Sequence, residues 1–292
     1  MKNKKLIIAI IVIACAVIGC LIFVVACDGP RVTGVKSLVA ANVKAQSKVD
    51  NYHMDGTVKM DITLDPEQSD LLEDILEHVD IELPVKMTVD TDAGSESAHI
   101  TTDATVKLFE KSVPVQTAEV YLDIKNTVAY TKTGDSTEWK QTGDEETQLE
   151  FKDLAGGLAV VGKTVLDNAT FEETEEYYSL IIPAEKAGDL VADLNLLERV
   201  DLGIADVRDI TVEGGQIIYN VDKTTRLVSS VELKNVDVRG KGVYKGVSAD
   251  LLFPTNGIFR FSRYNELEEA EYAIPEEILK AGSEKSGKSG KD

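Results

Sequence analysis

One stretch of the chain matches a phosphate-binding motif. The residues GLAVVGKT, at positions 157–164, satisfy the pattern G-x-x-x-x-G-K-[ST]. In a working phosphate loop a buried strand precedes the glycines, and a helix that begins after them directs backbone N–H groups at the phosphates. The residues before this motif, LEFKDLAG, do not form an apolar strand, and apolar residues recur at helical spacing straight through it: Phe151, Leu154, Leu158, Val161 and Val165. The sequence therefore favours an amphipathic helix here, and we expect no nucleotide binding.

The remaining polar residues do not form a recognisable catalytic or metal site. The three histidines, His53, His78 and His99, are scattered along the chain, whereas zinc ligands occur in close clusters. The acidic stretch DTDAGSE at 90–96 lacks the third acid and the distant glutamate of a calcium loop, so we interpret it as a hairpin turn. No G-x-S-x-G elbow occurs, and the three cysteines all lie within the first 27 residues, away from any histidine. We therefore expect no enzymatic activity, no cofactor and no bound metal.

The amino-terminal segment has the length of a membrane-spanning helix. Three lysines at positions 2, 4 and 5 precede an uncharged run from Leu6 to Cys27. A helix of about 20 apolar residues crosses the ~30 Å hydrocarbon layer of a bilayer, whereas the core of a secretory signal has about 7–15 residues. Because basic residues stay on the cytoplasmic side, an uncleaved anchor would place the rest of the chain outside the membrane.

A lipid anchor is the alternative interpretation of the same segment. The residues VVAC, ending at Cys27, resemble a lipobox, and cleavage before Cys27 would leave this cysteine carrying a diacylglyceryl group. VIGC, ending at Cys20, fits the same loose pattern but is followed by Leu-Ile-Phe, an unusual mature amino end. The cysteines can also be small apolar residues of a helix. Either form of anchor holds the domain at the cell membrane, facing outside.

The exterior part of the chain is strongly acidic. The 292 residues include 31 basic and 51 acidic ones, a net charge of −20, and without the three leader lysines the net charge is −23. Such a surface keeps a protein soluble and repels nucleic acid and anionic headgroups, so nucleic-acid binding is excluded. All cysteines lie in the leader, but about 250 residues are enough to bury a sizeable core without disulfides.

After the leader, the periodicity of the apolar residues changes from helical to strand-like. Leu38, Val39 and Val43 lie on one face of a helix predicted from about Val35 to Val49, although Asn42 falls on the same face. The even positions then carry the apolar residues Met54, Val58, Met60, Ile62 and Leu64, and similar alternating segments follow, with turns at Gly94-Ser95 and Gly134-Asp135. This pattern predicts an antiparallel sheet of about ten strands with one solvated face.

Three helical inserts are predicted between the strands. Asp65-Pro66-Glu67 has the composition of a helix start and precedes an apolar stripe: Leu71, Leu72, Ile75, Leu76 and Val79. The other two inserts are predicted at about 148–167 and 184–198. We expect an anchor at 1–27, a linker at 28–34, one exterior domain at 35–281 and a disordered tail at 282–292, where the sequence is small, polar and charged. We expect this domain to be a monomer.

These parts, in this order, resemble a known superfamily. A membrane leader and a short helix precede a meandering sheet with helical inserts. The hairpin VAYTKTGDSTEWKQT, at 128–142, is predicted to pair Tyr130 with Trp139 and Lys140, and the final strand runs into RYNELEEAEYAIPEEI at 263–278. From about Val35 to Ile278 the chain is similar to bacterial envelope proteins of the lipoprotein-carrier superfamily (LolA-like and LppX-like) and to related uncharacterised Firmicutes lipoproteins.

The resemblance implies a fold and a class of ligand. In that superfamily an open antiparallel half-barrel curls around inserted helices, and its concave side can hold acyl chains. The fold implied here is mainly β, a curved antiparallel half-barrel with about three helices packed on its concave face, plus the membrane helix. The implied function is a carrier or binder of lipid or another hydrophobic ligand, with a cavity lidded by Leu71, Leu72, Ile75 and Leu76. The alternatives are that these residues fill an ordinary core and that the domain is an interaction or sensor module without a small ligand.

Overall fold

The computed structural model describes residues 32–64, 79–90, 97–108, 111–123, 128–133, 136, 138–142, 166–186, 206–244 and 247–279. Its elements, in chain order, are α1 (Val35–Gln46), β1 (Asn51–Leu64), β2 (Val79–Asp90), β3 (Ser97–Leu108), β4 (Lys111–Asp123), β5 (Val128–Thr133), β6 (Lys140–Thr142), β7 (Thr170–Glu173), β8 (Tyr177–Pro183), β9 (Asp206–Asp222), β10 (Val228–Tyr244), β11 (Val247–Ser262) and a 3₁₀ helix (Glu269–Glu271). No helix in these ranges is long and apolar enough to cross a membrane. The predicted anchor, Cys27 and the tail lie outside the described residues.

The strands form one antiparallel sheet. Its order is β6-β5-β4-β3-β2-β1-β11-β10-β9-β8-β7, so two meanders of consecutive strands meet where the first strand pairs with the last. In that central pair Met54 lies opposite Phe261, and Val58 lies opposite Gly257. The outermost strands β6 and β7 each pair on one side, and the curved sheet is therefore open. The predicted fold class, a mainly β domain built on a curved antiparallel sheet, is confirmed.

Alternation along each strand divides the sheet into two faces. The core face is the one that carries Met54, Ile100, Tyr219 and Phe259, all 2% exposed or less, and it packs against α1. The outer face carries the residues between them, which include His99 and Tyr121. Because side chains on a strand point alternately to the two sides, the antiparallel register brings all core-face residues into continuous rows across the strands.

An irregularity in β9 and β10 bends the sheet. The register of this strand pair shifts between Lys234 and Asp237, and Asn235 and Gly215 have positive φ values of 49° and 90°. A Cβ atom added at Gly215 would lie 2.2 Å from the carbonyl oxygen of Asn235, so this close approach of the two backbones requires glycine. Such bulges increase local twist and let a sheet curve.

The structure corrects three of the predictions made from the sequence, and most of the predicted helical inserts remain predictions. Val79 was assigned to the apolar stripe of a helix, but it is the first residue of β2, where it pairs with Leu108. The hairpin of β5 and β6 exists, but Tyr130 lies opposite Gln141 and not opposite Trp139 and Lys140, because Trp139 precedes the strand. α1 ends at Gln46, one turn before the predicted Val49. Residues 166–167 and 184–186 are helical, and the rest of the predicted inserts lies outside the described residues.

Candidate functional site

The core face offers a broad apolar surface. One row runs through Leu180, Tyr219, Val231 and Phe259, which are aligned across four neighbouring strands and are each 2% exposed or less. It ends at Gly56, where an added Cβ atom would lie 2.5 Å from Cδ1 of Phe259, so glycine leaves room for the aromatic ring. Burying each large side chain of this kind contributes roughly 1.5–3 kcal/mol. The row is therefore the centre of the apolar core.

Helix α1 covers one end of the core face. Leu38 and Val39 are 1% and 5% exposed, as the apolar stripe predicts. Asn42, which interrupts that stripe in the sequence, is 2% exposed, and its Nδ2 donates a 2.7 Å hydrogen bond to the carbonyl oxygen of Arg226 in the turn between β9 and β10. A buried amide needs such a partner. The polar residue on the apolar helix face thus attaches α1 to the sheet.

The core face is much longer than α1. The helix has 12 residues and β10 has 17, which correspond to about 18 Å of helix against about 55 Å of strand. Towards the other end Leu233, Val236 and Phe253 are 8% exposed or less. Thr255 is also buried, and its Oγ1 donates to the carbonyl oxygen of Phe253 at 2.9 Å. The hydroxyl is thus satisfied within its own strand, and the face there remains apolar.

A cationic turn lies at the α1 end of the core face. In the turn between β9 and β10, Oδ1 of Asp222 accepts the backbone N–H groups of Thr224 and Thr225 at 2.8 and 2.7 Å. The backbone hydrogen bond from Thr225 is the largest cause that lowers the pKa of this carboxyl below its ordinary value. Lys223 and Arg226 of this turn lie 5.1 and 4.9 Å from the ring centroid of Tyr178, which packs against the core cluster.

The outer face of β3 to β5 carries a different cluster, made of aromatic and charged residues. The ring of His99 stacks on Tyr121 with centroids 4.2 Å apart, and its Nε2 lies 3.1 Å from Oε1 of Glu119. Lys132 forms an ion pair with Glu119 and lies 4.7 Å from the ring centroid of Trp139. Burial raises the pKa of Glu119, but the hydrogen bonds from Lys132 and His99 outweigh it and the pKa is lowered. The charges of this cluster therefore satisfy one another.

The carboxyl-terminal segment covers part of this outer cluster. Ile278 is 2% exposed and packs, together with Ile274, against Tyr121 and Tyr130, which are 9% and 6% exposed. Burial raises the pKa of Tyr121, and the nearby carboxylates of Glu119 and Glu277 raise it further. The phenol therefore stays protonated near neutral pH. The cluster is a second, smaller core on the face that the sequence predicts to be solvated.

Among the predicted polar candidates that fall within the described residues, the structure brings none together. His53 and His99 lie on the outer face, each opposite Thr88 of the intervening strand, so two strand spacings, about 10 Å, separate them. His78 and the motif at 157–164 lie outside the described residues. So do Cys27 and the proposed lid residues Leu71, Leu72, Ile75 and Leu76, which remain predictions.

Two features of the structure were missed by the sequence interpretation. The hydrogen bond from Asn42 joins residues 184 positions apart, and the only sequence signal for it was the polar residue in an apolar stripe. The outer cluster had no signal, because Tyr121 and Tyr130 alternate with apolar residues as they would on any exposed strand face. Its cover comes from the carboxyl-terminal segment, which no local pattern connects to β4 or β5.

Comparison with known proteins gives little beyond these observations. No protein-family description matches the chain, and no curated protein matches it. Among solved structures, the chain is distantly similar to the crystal structure of a DUF1329 family protein from Desulfovibrio piger ATCC 29098, with 11% sequence identity, a TM-score of 0.26, and coverage of 81% of this chain and 95% of that one. So weak a likeness supports no inference about what this chain binds.

Proposed function

We propose that the protein is a membrane-tethered extracytoplasmic binder or carrier of lipid or another hydrophobic ligand, and that the ligand lies against the core face. The observation that carries the proposal is the combination of an open antiparallel sheet with a core face that is a continuous apolar surface. The leader in the sequence, with its two possible forms of anchor, supports the location. The lack of any catalytic pattern in the sequence supports binding over catalysis.

The energetics of such binding favour a ligand with a long hydrocarbon chain. Each methylene removed from water contributes about 0.8 kcal/mol, so ten buried methylenes contribute roughly 8 kcal/mol before the cost of association is subtracted. Small-molecule sites that bury a ligand this well have volumes of about 300–1,000 Å³. A ligand held in this way dissociates slowly enough to remain bound during purification.

An interaction or sensor domain without a small ligand is the second candidate. It is favoured by the tight burial of the core face, where Met54 and Val231 are 0% exposed and Phe259 is 1% exposed. A fully packed interior leaves no room for an acyl chain, and the function would then reside on the outer surface. The two candidates differ in one measurable property, the presence of a non-covalent ligand.

The test is mass spectrometry of the full chain purified from bacterial membranes. A native spectrum, recorded after the detergent is removed in the gas phase, should show a bound lipid mass that disappears under denaturing conditions, and organic extraction should release the same molecule. Any covalent lipid on Cys27 remains in the denatured spectrum and is absent from the Cys27→Ala variant. This separates an anchor from a ligand.

Lid variants sharpen the same test. We expect Leu72→Gln combined with Leu76→Gln to lower the occupancy of the bound lipid, whereas Leu279→Gln, at a position that is 39% exposed, should leave it unchanged. A full chain that is folded yet carries no extractable lipid would overturn the proposal in favour of the interaction domain.

A further inference from the structure

One cationic side chain at the rim of the core face has a nitrogen atom that is buried without a partner. Arg226 lies in the turn between β9 and β10, and its Nη1 has no hydrogen-bond acceptor and no contact with solvent. The guanidinium lies against the ring of Tyr178, 4.9 Å from its centroid. A buried N–H donor without an acceptor destabilises a protein, and more so when the group is charged. We therefore expect this arginine to have a function that offsets the loss of stability.

Two carboxylates of this region, those of Asp222 and Glu173, accept hydrogen bonds from groups other than Arg226. Oδ1 of Asp222 accepts two backbone N–H groups and the hydroxyl of Thr225, and it acts on Arg226 only through its charge. Oε1 of Glu173 accepts from Nζ of Lys223 at 2.7 Å. Within the described ranges, the Arg226 guanidinium thus forms no ion pair, although it sits in a strongly acidic chain. The partner that its fork of N–H donors lacks is an anion.

The backbone of Arg226 is held firmly in a conformation that is unfavourable for a side-chain-bearing residue. Its φ value is +64°, in the left-handed region that glycine adopts without cost. Its N–H donates to the carbonyl oxygen of Asp222 at 2.9 Å, and its own carbonyl oxygen accepts from the buried Asn42 at 2.7 Å. Two independent hydrogen bonds, one of them from α1, therefore fix the point from which the guanidinium extends.

We propose that Arg226 binds the anionic headgroup, a carboxylate or a phosphate, of an amphiphile whose hydrocarbon chain lies against the core face. The inference rests on the proposed function and names the ligand class. Tyr178 connects the two parts of the site, because its ring contacts the guanidinium and packs against the core cluster, two residues before the buried Leu180 on the same strand. Guanidinium groups recognise carboxylate and phosphate oxygens through paired N–H donors. Lys223, 5.1 Å from the same ring centroid, adds positive charge.

The acidic surface of the protein restricts what can reach this site. A net charge of −20 repels an anionic bilayer surface, which presents many charges at once. At physiological ionic strength, however, fields are screened over about 8 Å, so a single headgroup is governed by the nearest charges, which here are Arg226 and Lys223. The site is therefore suited to one amphiphile molecule and not to a membrane surface.

The experiment uses the full chain in phosphatidylcholine nanodiscs and three photoreactive probes with the same sixteen-carbon, diazirine-bearing chain. The probes are the carboxylate, the phosphate monoester and the neutral alcohol, and labelling is located by peptide mass mapping. Each probe is compared between variants, so differences in membrane partition cancel. We expect Arg226→Gln to lower labelling by the carboxylate, the phosphate or both by about ten-fold, and to leave labelling by the alcohol unchanged. The anionic probe whose labelling falls more in Arg226→Gln identifies the headgroup.

Two further variants control for charge and for folding. Arg239→Gln removes another arginine of the same sheet, one that pairs with Glu213 at 2.7 Å, and should change no labelling. Arg226→Lys retains the positive charge but lacks the paired N–H donors of the guanidinium. Its labelling by the anionic probes should therefore lie between that of the unmodified protein and that of Arg226→Gln. If the alcohol labels the domain and Arg226→Gln changes nothing, the headgroup assignment fails while the carrier function stands. If Arg226→Gln lowers all three probes equally together with the melting temperature, the role is structural and the assignment also fails. If no probe labels residues 32–279, the proposed function itself fails.

Discussion

Ala98 and His99 are neighbours in β3, yet their side chains lie in chemically different surroundings. Ala98, Leu122 and Ala129 form a row within the large apolar cluster of the core face. One residue further along each strand pair, His99, Tyr121 and Tyr130 form a row on the outer face, where rings stack and charges pair. Both rows are largely buried, the first against the interior of the domain and the second beneath the carboxyl-terminal segment.

The difference shows which face is suited to a ligand. Apolar side chains of the core face have no directional requirement, so hydrocarbon can replace hydrocarbon against them at little cost. Each ring and charge of the outer cluster has a specific partner within it, and a ligand that displaced one would leave another unpaired. The outer cluster therefore stabilises the sheet, and the binding that we propose is confined to the core face and its rim.

The largest effect is expected at the centre of the core face. Phe259→Ala removes a ring that is 1% exposed and should lower the free energy of unfolding by about 3–5 kcal/mol, because it leaves a cavity. Its neighbour Ile258 points to the outer face and is partly exposed, so Ile258→Ala should cost about 1 kcal/mol or less. Urea unfolding followed by the fluorescence of Trp139, the single tryptophan, measures both. If the two variants lost equal free energies of unfolding, the two faces would be packed alike.

A smaller effect is expected from uncovering the outer cluster. Ile278→Ala should lower the free energy of unfolding by about 2 kcal/mol, the lower end of the range for buried isoleucine, because its cluster is small and near the surface. It should also shift the emission of Trp139 to longer wavelength, since Trp139 packs in the same cluster. Leu279→Ala, at the exposed neighbouring position, is the control and should change neither quantity. An unshifted emission would show that the segment does not shield the cluster.

The smallest effect is expected at acidic pH, where protonation weakens the ion pair that anchors the carboxyl-terminal segment. Oε1 and Oε2 of Glu271 accept from Arg263 at 2.6 and 2.8 Å, and this bond, with the backbone N–H of Glu268, lowers the pKa of Glu271 from 4.5 to about 2. A carboxyl with a lowered pKa contributes stability that is present above its unfolded pKa and is lost as the pH falls through its folded pKa. The contribution should therefore fade between about pH 5 and pH 2.

Melting temperatures measured across that range test the ion pair. Glu271→Gln should reduce the slope of the melting temperature against pH between about pH 5 and pH 2, and only slightly, because water screens exposed ion pairs. Glu172→Gln, at an exposed position on β7, should leave the slope unaltered. Identical slopes in all three proteins would show that this pair does not link the segment to the sheet.

The local spacing of apolar residues was sufficient to predict helices and strands and the faces that they bury. Met54 and Val58 were placed on the buried side of a strand, and Leu38 and Val39 on the buried side of a helix, and the structure confirms all four. These predictions succeed because the periods of 2 and 3.6 residues follow from the geometry of strand and helix alone. Val79 was assigned wrongly because it lies at a boundary where both periods fit.

Partners that are distant along the chain were decided by the tertiary structure alone. The pairing of β1 with β11, the cover that Ile278 provides for Tyr121, and the hydrogen bond from Asn42 to Arg226 each join segments more than 150 residues apart. No local period encodes such contacts, because they depend on which strand edges and apolar surfaces remain unpaired once the neighbouring elements have packed. The sequence by itself determined an acidic, antiparallel β domain with an apolar face, and its membrane tether stays a prediction. Only the folded chain placed an arginine whose Nη1 lacks a hydrogen-bond partner at the rim of that face, because the turn that carries it is held by a helix near the other end of the sequence.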